Sequence, residues 1–287
     1  MHTGLDLRAT GKTQFKNRVM SEMNDRQENG KADCMLRFEN VRKAFGEAQV
    51  LDGLSFDIRQ GEIFVILGPS GTGKSVTLKH MVRLLTPDEG NIYVRGDCVN
   101  AASGSELERI RERFGYLFQG GALLAWMSVG ENIALPLRER TKMTEAEIQA
   151  RVAEVLEMVE MGGDGDKRPS EISGGMRKRA GLARAIVTNP EIVLYDEPTS
   201  GLDPVTSRTI DALIARLRDE LNITSVVVTH DLHSALTIAS RIAMLDGGKI
   251  LEISTPETFI RSEHREVKRF LESQFITTSG VWEESGK

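Results

Sequence analysis

Apolar and polar positions along the chain form short runs of two kinds, divided by glycines. Alternation with period two starts in "MLRFENVRKAF" (35–45) and predicts a strand with one covered face. "EIFVIL" (62–67), "EIVLYDE" (191–197) and "ITSVVVTH" (223–230) are instead continuous apolar runs, as expected for strands buried on both faces. Helix-like stretches separate them, which predicts an α/β fold with a mostly parallel, helix-covered sheet. "RIAMLDGGKILEIS" (241–254) reads as a hairpin, because Gly247 and Gly248 can both take the positive φ of its turn. The middle of the chain has helical period. In "MTEAEIQARVAEVLEMVEM" (143–161), Ile148, Val152, Val155, Leu156 and Val159 share one face, and Thr144 with Glu147 makes a capping box. Residues 120–172 are therefore expected to form a helical lobe inserted in the α/β domain.

The ends differ from the middle. Residues 1–33 are polar and poor in large apolar side chains, and are expected to be a flexible extension. The ordered domain is expected over 34–262, followed by a partly helical tail, 263–287, built around "REVKRFLESQF". The length of 287 residues suits one large domain or one domain with a lobe inserted into it. A net charge of -5 argues against a dedicated nucleic-acid binder. No apolar run approaches the roughly 18 residues of a membrane span, and the N-terminus lacks the apolar core of a secretory signal. Cys34 and Cys98 have no metal-binding spacing, so neither a disulfide framework nor a zinc site is expected, and a reducing cytoplasm is the simplest setting.

Two stretches carry phosphate chemistry. "GPSGTGKS", comprising Gly68, Pro69, Ser70, Gly71, Thr72, Gly73, Lys74 and Ser75, follows a predicted strand and fits G-x-x-x-x-G-K-[ST]. Its glycines let backbone N–H groups turn toward a β-phosphate, Lys74 reaches the β- and γ-phosphates, and the Ser75 hydroxyl suits Mg²⁺. Asp196 ends a later apolar strand, where its carboxylate can face the same cation, and Glu197 next to it is placed to activate a water. The second stretch, "SGGM" (173–176), opens the helix-like run "RKRAGLARAIV". A serine, two glycines and a helix N-terminus make a second seat for an anion.

These motifs stand in the order found in ATP-binding subunits of ABC transporters, which the chain resembles over residues 35–260. Gly68–Ser75 are similar to the Walker A loop and Gln119 in "GYLFQG" to the Q-loop glutamine. "ISGGM" resembles the signature, "LYDEP" the Walker B strand, "SGLD" the D-loop, and "THD" the segment carrying the switch histidine, His230. The resemblance implies a P-loop NTPase fold with an N-terminal antiparallel β-subdomain and an inserted helical subdomain. It also implies ATP and Mg²⁺ as ligands. Phe45 would stack on the adenine, and Val76 would continue the phosphate loop. Ser75, Gln119 and Asp196 would serve the metal, while Lys74, Gln119, Glu197 and His230 would serve catalysis. In such proteins two copies pack head to tail. Ser173, Gly174 and Gly175 would then hold the γ-phosphate of the partner's nucleotide, and Asp203 would touch the opposite subunit. Two positions depart from the usual signature: Ile172 stands for Leu and Met176 for Gln. The phosphate-facing residues are unchanged, so an active ATPase is expected.

Within the family, "GGALLAWMSVGENIALPLRE" (120–139), "SGGMRKRAGLARAI" and "SGLDPVTS" are most similar to the Mla/Mce-associated group. That implies a peripheral protein on the cytoplasmic face of the inner membrane, a homodimer working with an MlaE-type permease and an MCE-domain protein. The cargo would be a phospholipid moved between inner and outer membranes, with no nucleic acid involved. Leu123, Leu124, Trp126 and Met127 are candidates for a groove receiving a permease helix. The alternatives are the ATPase of a polar amino-acid importer and a signalling ATPase of the cell-division type.

Overall fold

The computed structural model describes residues 34–274. The expectation for residues 1–33, and the part of the tail beyond 274, lie outside them. Strands β1 (Cys34–Phe45), β2 (Ala48–Arg59), β4 (Glu89–Val94) and β5 (Asp97–Cys98) form an antiparallel sheet in the order β2-β1-β4-β5. A second sheet contains β3 (Ile63–Leu67), β6 (Phe114–Leu117), β7 (Ile192–Asp196), β8 (Thr224–Thr229), β9 (Arg241–Asp246) and β10 (Lys249–Ser254), in the order β10-β9-β3-β8-β7-β6. All its pairings are parallel except that of β10 with β9, the hairpin expected at Gly247 and Gly248.

The continuous apolar runs divide by alternation after all. In β3, Ile63, Val65 and Leu67 enter one buried cluster while Phe64 and Ile66 enter another. In β7, Val193 and Tyr195 face the first, and Ile192 and Leu194 the second. Both sides of this sheet are core, so successive side chains serve opposite layers. The antiparallel sheet covers one side, with Phe56 stacked between Phe38 and Phe64 at centroid distances of 4.6 and 5.5 Å. Helices cover the rest: α1 (Lys74–Met81), α2 (Gly104–Glu112), α3 (Val129–Arg140), α4 (Glu145–Met158), α5 (Gly174–Ile186), α6 (Pro204–Leu221), α7 (Leu232–Ile238), α8 (Pro256–Ile260) and α9 (Arg265–Ser273).

Helices α3 and α4 each start with a complete capping box, Ser128 with Glu131 and Thr144 with Glu147. Their apolar faces belong to the same buried cluster as Val65 and Val193, so this lobe packs on the sheet layer rather than enclosing a core of its own. Asn132, fully buried on α3, accepts from the Leu124 N–H at 2.7 Å and donates to Leu124 and Ser128 carbonyls, which pins the segment following Gln119. On α9, Val267, Phe270 and Leu271 are buried in that same cluster, so the helix braces its own chain. Among the described residues no helix is long and apolar enough to cross a membrane.

Candidate active site

The loop Gly68–Gly73 links β3 to α1, and two of its glycines are required by geometry. A Cβ on Gly68 would lie 2.1 Å from the Leu245 carbonyl oxygen. Gly73 has a φ of 100°, and a Cβ there would meet Val50 and Leu51. Side chains are thus excluded where the loop passes the backbone of β9 and where α1 begins. Lys74, the first residue of α1, is buried. Its ammonium arches back to donate to the Gly68 and Pro69 carbonyls at 2.8 and 2.9 Å, and it lies 3.6 Å from a Glu197 carboxylate oxygen. Burial pulls the Lys74 ammonium below the usual lysine range, and Glu197 and Asp196 oppose that shift.

Next to it, the Ser75 hydroxyl donates to Asp196 Oδ1 at 2.6 Å. The sheet order explains this meeting, since β7 lies two strands from β3 and ends at Asp196 on the same edge as the loop. The Tyr116 hydroxyl donates to Asp196 Oδ2 at 3.4 Å, and burial, with Asp196 adding to it, raises the phenol above its ordinary range. Sequence reasoning missed Tyr116, which sits on the short edge strand β6. Ser75 and Asp196 offer the hard oxygen donors that Mg²⁺ takes alongside phosphate oxygens and water, so the donor set fits that ion.

Glu197 closes the arrangement. Its backbone has a φ of 51°, the left-handed region that a residue with a Cβ seldom adopts. Its N–H donates to the Val228 carbonyl at 3.0 Å, and its carboxylate lies 2.8 Å from His230 Nδ1. His230 is half exposed at the end of β8. Phe45, exposed at the end of β1, lines a cleft of about 400 Å³ together with Ser70, Gly71, Lys74, Ser75, Val76, Gln119 and Glu197. Most of the predicted nucleotide and catalytic residues therefore meet in one place.

Ser173, Gly174, Gly175 and Asp203 do not line that cleft. They make a second patch. Ser173 caps α5 by accepting from the Met176 N–H at 3.2 Å, and Asp203 caps α6 by accepting from Val205 and Thr206, both at 3.0 Å. The two helix starts touch: a Cβ on Gly175 would lie 2.6 Å from Thr206 Cγ2. Met176 packs against the large core cluster, and Ile172 is buried in it.

Residues 51–200, which run from β2 through the turn after Glu197, match the family described as ABC transporter. The chain belongs to the ABC transporter family. It is an ATPase of that family, and ATP is its nucleotide. It is 43% identical over 249 residues to a probable ribonucleotide transport ATP-binding protein of Mycobacterium leprae, covering 87% of this chain and 72% of that one. It is 38% identical to the intermembrane phospholipid transport system ATP-binding protein of Haemophilus influenzae, over 84% of this chain and 91% of that one. A methionine import ATP-binding protein of Pseudomonas entomophila is also 38% identical, over 83% and 72%. Among solved structures, a dimeric ATP-binding cassette in a post-hydrolysis state with ADP and Pi is similar at 35% identity and a TM-score of 0.71. That likeness covers 77% of this chain and 99% of the other.

Sequence reasoning also missed Lys178. It lies on α5 and is buried, and its ammonium donates to the carbonyls of Gln119 and Glu197, the latter at 2.9 Å. The signal was there to read. Lys178 falls three residues from Gly175 and from Gly181, on the face of the helix that must pack. A lysine there needs a polar partner.

The apolar segment after Gln119 is arranged differently from the expected groove. Leu123 packs against the core, and Trp126 is 73% exposed beside a more polar hollow lined by Arg138 and Arg168. A separate groove of about 490 Å³ beside the loop is lined by Leu84, Tyr116, Phe118, Pro136, Arg140 and Arg184.

Proposed function

We propose that the chain is the ATP-hydrolysing subunit of a lipid transporter, acting as a homodimer beneath a separate MlaE-type permease and an MCE-domain protein. The cargo is a phospholipid, and the protein sits peripherally on the cytoplasmic face of the inner membrane. The observation that carries the cargo is the extent of likeness to the phospholipid-transport ATPase, matched along 91% of its own length, against 72% for the methionine importer at equal identity.

In this reading Phe45 stacks on adenine, and the amides of Gly68–Val76 cradle the phosphates. Lys74 leaves the carbonyls of Gly68 and Pro69 for the β- and γ-phosphates, exchanging two neutral acceptors for anionic ones. That movement also takes it from Glu197, freeing the carboxylate to accept a proton from the attacking water. His230 keeps Glu197 oriented and contacts the γ-phosphate. Ser75, Asp196 and Gln119 would hold Mg²⁺. When bound, the ion neutralises charge on the transferring phosphoryl group. Ser173, Gly174 and Gly175 of the partner subunit close the site, which explains why those residues stand apart from the cleft of their own chain. The groove holding Arg140 and Arg184 receives a permease helix.

The test is to purify the tagged full-length chain from detergent-solubilised native membranes and identify the co-purifying proteins and lipids by mass spectrometry. An MlaE-type permease, an MCE-domain protein and retained phospholipid are expected. A solute permease or a division membrane protein in their place would overturn the cargo.

A further inference from the structure

We propose that Lys178 is a positioning residue that fastens the Gln119 loop and the Glu197 turn to the helix beginning at Ser173. The inference rests on the reading that Glu197 is the general base, and it adds what holds that base in place.

Three observations carry it. First, Lys178 is only 5% exposed, yet its ammonium is not orphaned, because it reaches two main-chain carbonyls from distant parts of the sequence. A lysine buried on an apolar face has no reason to be there unless those bonds matter to the fold or to the site.

Second, one of the carbonyls it grips belongs to a residue whose backbone conformation is demanding. Glu197 is left-handed, a conformation that persists only when its surroundings enforce it. Its N–H is held by Val228 and its carboxylate by His230. Its carbonyl is held by the Ser200 N–H at 3.2 Å and, at 2.9 Å, by Lys178. The Lys178 bond is charge-assisted and is the shorter of the two. A shift at this peptide would rotate the carboxylate away from His230.

Third, α5 grips the Gln119 loop along its length. Arg184 donates to the Gly121 and Ala122 carbonyls at 2.9 and 2.8 Å, and Lys178 takes the Gln119 carbonyl at the near end. Gly181 permits the close approach, since a Cβ there would come within 2.8 Å of Leu117 Cδ1 and 3.2 Å of the Gly121 backbone. Arg184 holds only the loop. Among the described residues, Lys178 is the side chain that donates to both the loop and the catalytic turn. It thereby fixes the distance between Gln119 and Glu197, the two residues expected to manage the water.

Lys178→Met keeps the aliphatic stem and removes the donors. Measured on the full-length ATPase, it should lower kcat about 100-fold, the scale of a small misplacement of catalytic groups. KM for ATP and the affinity for a fluorescent ATP analogue should stay within about twofold, because the phosphate loop is untouched. Lys178→Arg, which retains a cation and donors, should remain within about tenfold of the parent. Amide hydrogen exchange should quicken at residues 118–122 and 196–200 in K178M. If K178M fails to fold, Lys178→Gln is read by the same measurements. Unchanged kcat, or a raised KM with kcat preserved, would overturn the proposal, as would a loss that K178R does not restore. Glu197→Gln, assayed alongside, separates the two ideas. Inactive E197Q with active K178M sinks the positioning role alone, whereas active E197Q removes the general base itself.

Discussion

Asp196 and Glu197 are neighbours in sequence with different work, and the backbone separates them. Asp196 completes β7 and points to the Ser75 hydroxyl, while Glu197 turns left-handed and points to His230. In the proposed mechanism one carboxylate serves the cation and the other the attacking water. Glu197→Gln preserves shape and removes the basic oxygen, so steady-state ATP turnover should fall at least about 100-fold while nucleotide binding persists. Turnover close to the parent's would show that another group takes the proton. At this scale the sequence was highly legible wherever chemistry demands a residue type at a fixed spacing, as in Gly68–Ser75. It was less so for Tyr116 and Lys178, whose importance comes from contacts across the sheet. Nothing local marks Tyr116 as the neighbour of Asp196, because β6 and β7 are far apart in the chain and adjacent only in the sheet.

Among the elements, those with a strong period or a cap could be read directly. The helix over 145–158 follows from its apolar face and from Thr144 with Glu147, and both appear. Thr144→Ala should remove one orphan-donor partner at that N-terminus and cost about 1 kcal/mol. In a chain of this size that lowers Tm by about 2–4 °C. The kcat should be unchanged, as checked by a melting curve and an ATPase assay on the same sample; an unchanged Tm would mean the box carries no stability. The strand β6 was harder, because "FGYL" is four residues with a glycine and shows no clear period. That glycine has a packing reason visible only in three dimensions. A Cβ on Gly115 would lie 2.1 Å from the Ala185 carbonyl oxygen, so α5 crosses β6 at backbone contact. The apolar run after Gln119 misled for a related reason. Its hydrophobicity marks residues that pack inward as readily as residues that face a partner, and only Trp126 among the large ones is well exposed.

At the scale of the whole molecule, the chain presents two separate patches. One is the cleft of Lys74, Ser75, Gln119 and Glu197; the other is the pair of helix starts at Ser173 and Asp203. In the proposed homodimer neither patch completes a phosphate site alone, and a second copy turned head to tail would join one to the other. This is the central claim, and mixing two defective variants tests it most directly. Lys74→Ala disables the cleft, and Ser173→Arg blocks the opposite patch, so each alone should be inactive in both of its sites. Mixed under conditions that allow exchange of subunits, they should form heterodimers with one intact composite site. Activity should then return to about a quarter of the parent's, the share expected for random pairing with one good site per mixed dimer. No recovery on mixing, with both variants folded and exchanging, would contradict a site shared between two copies.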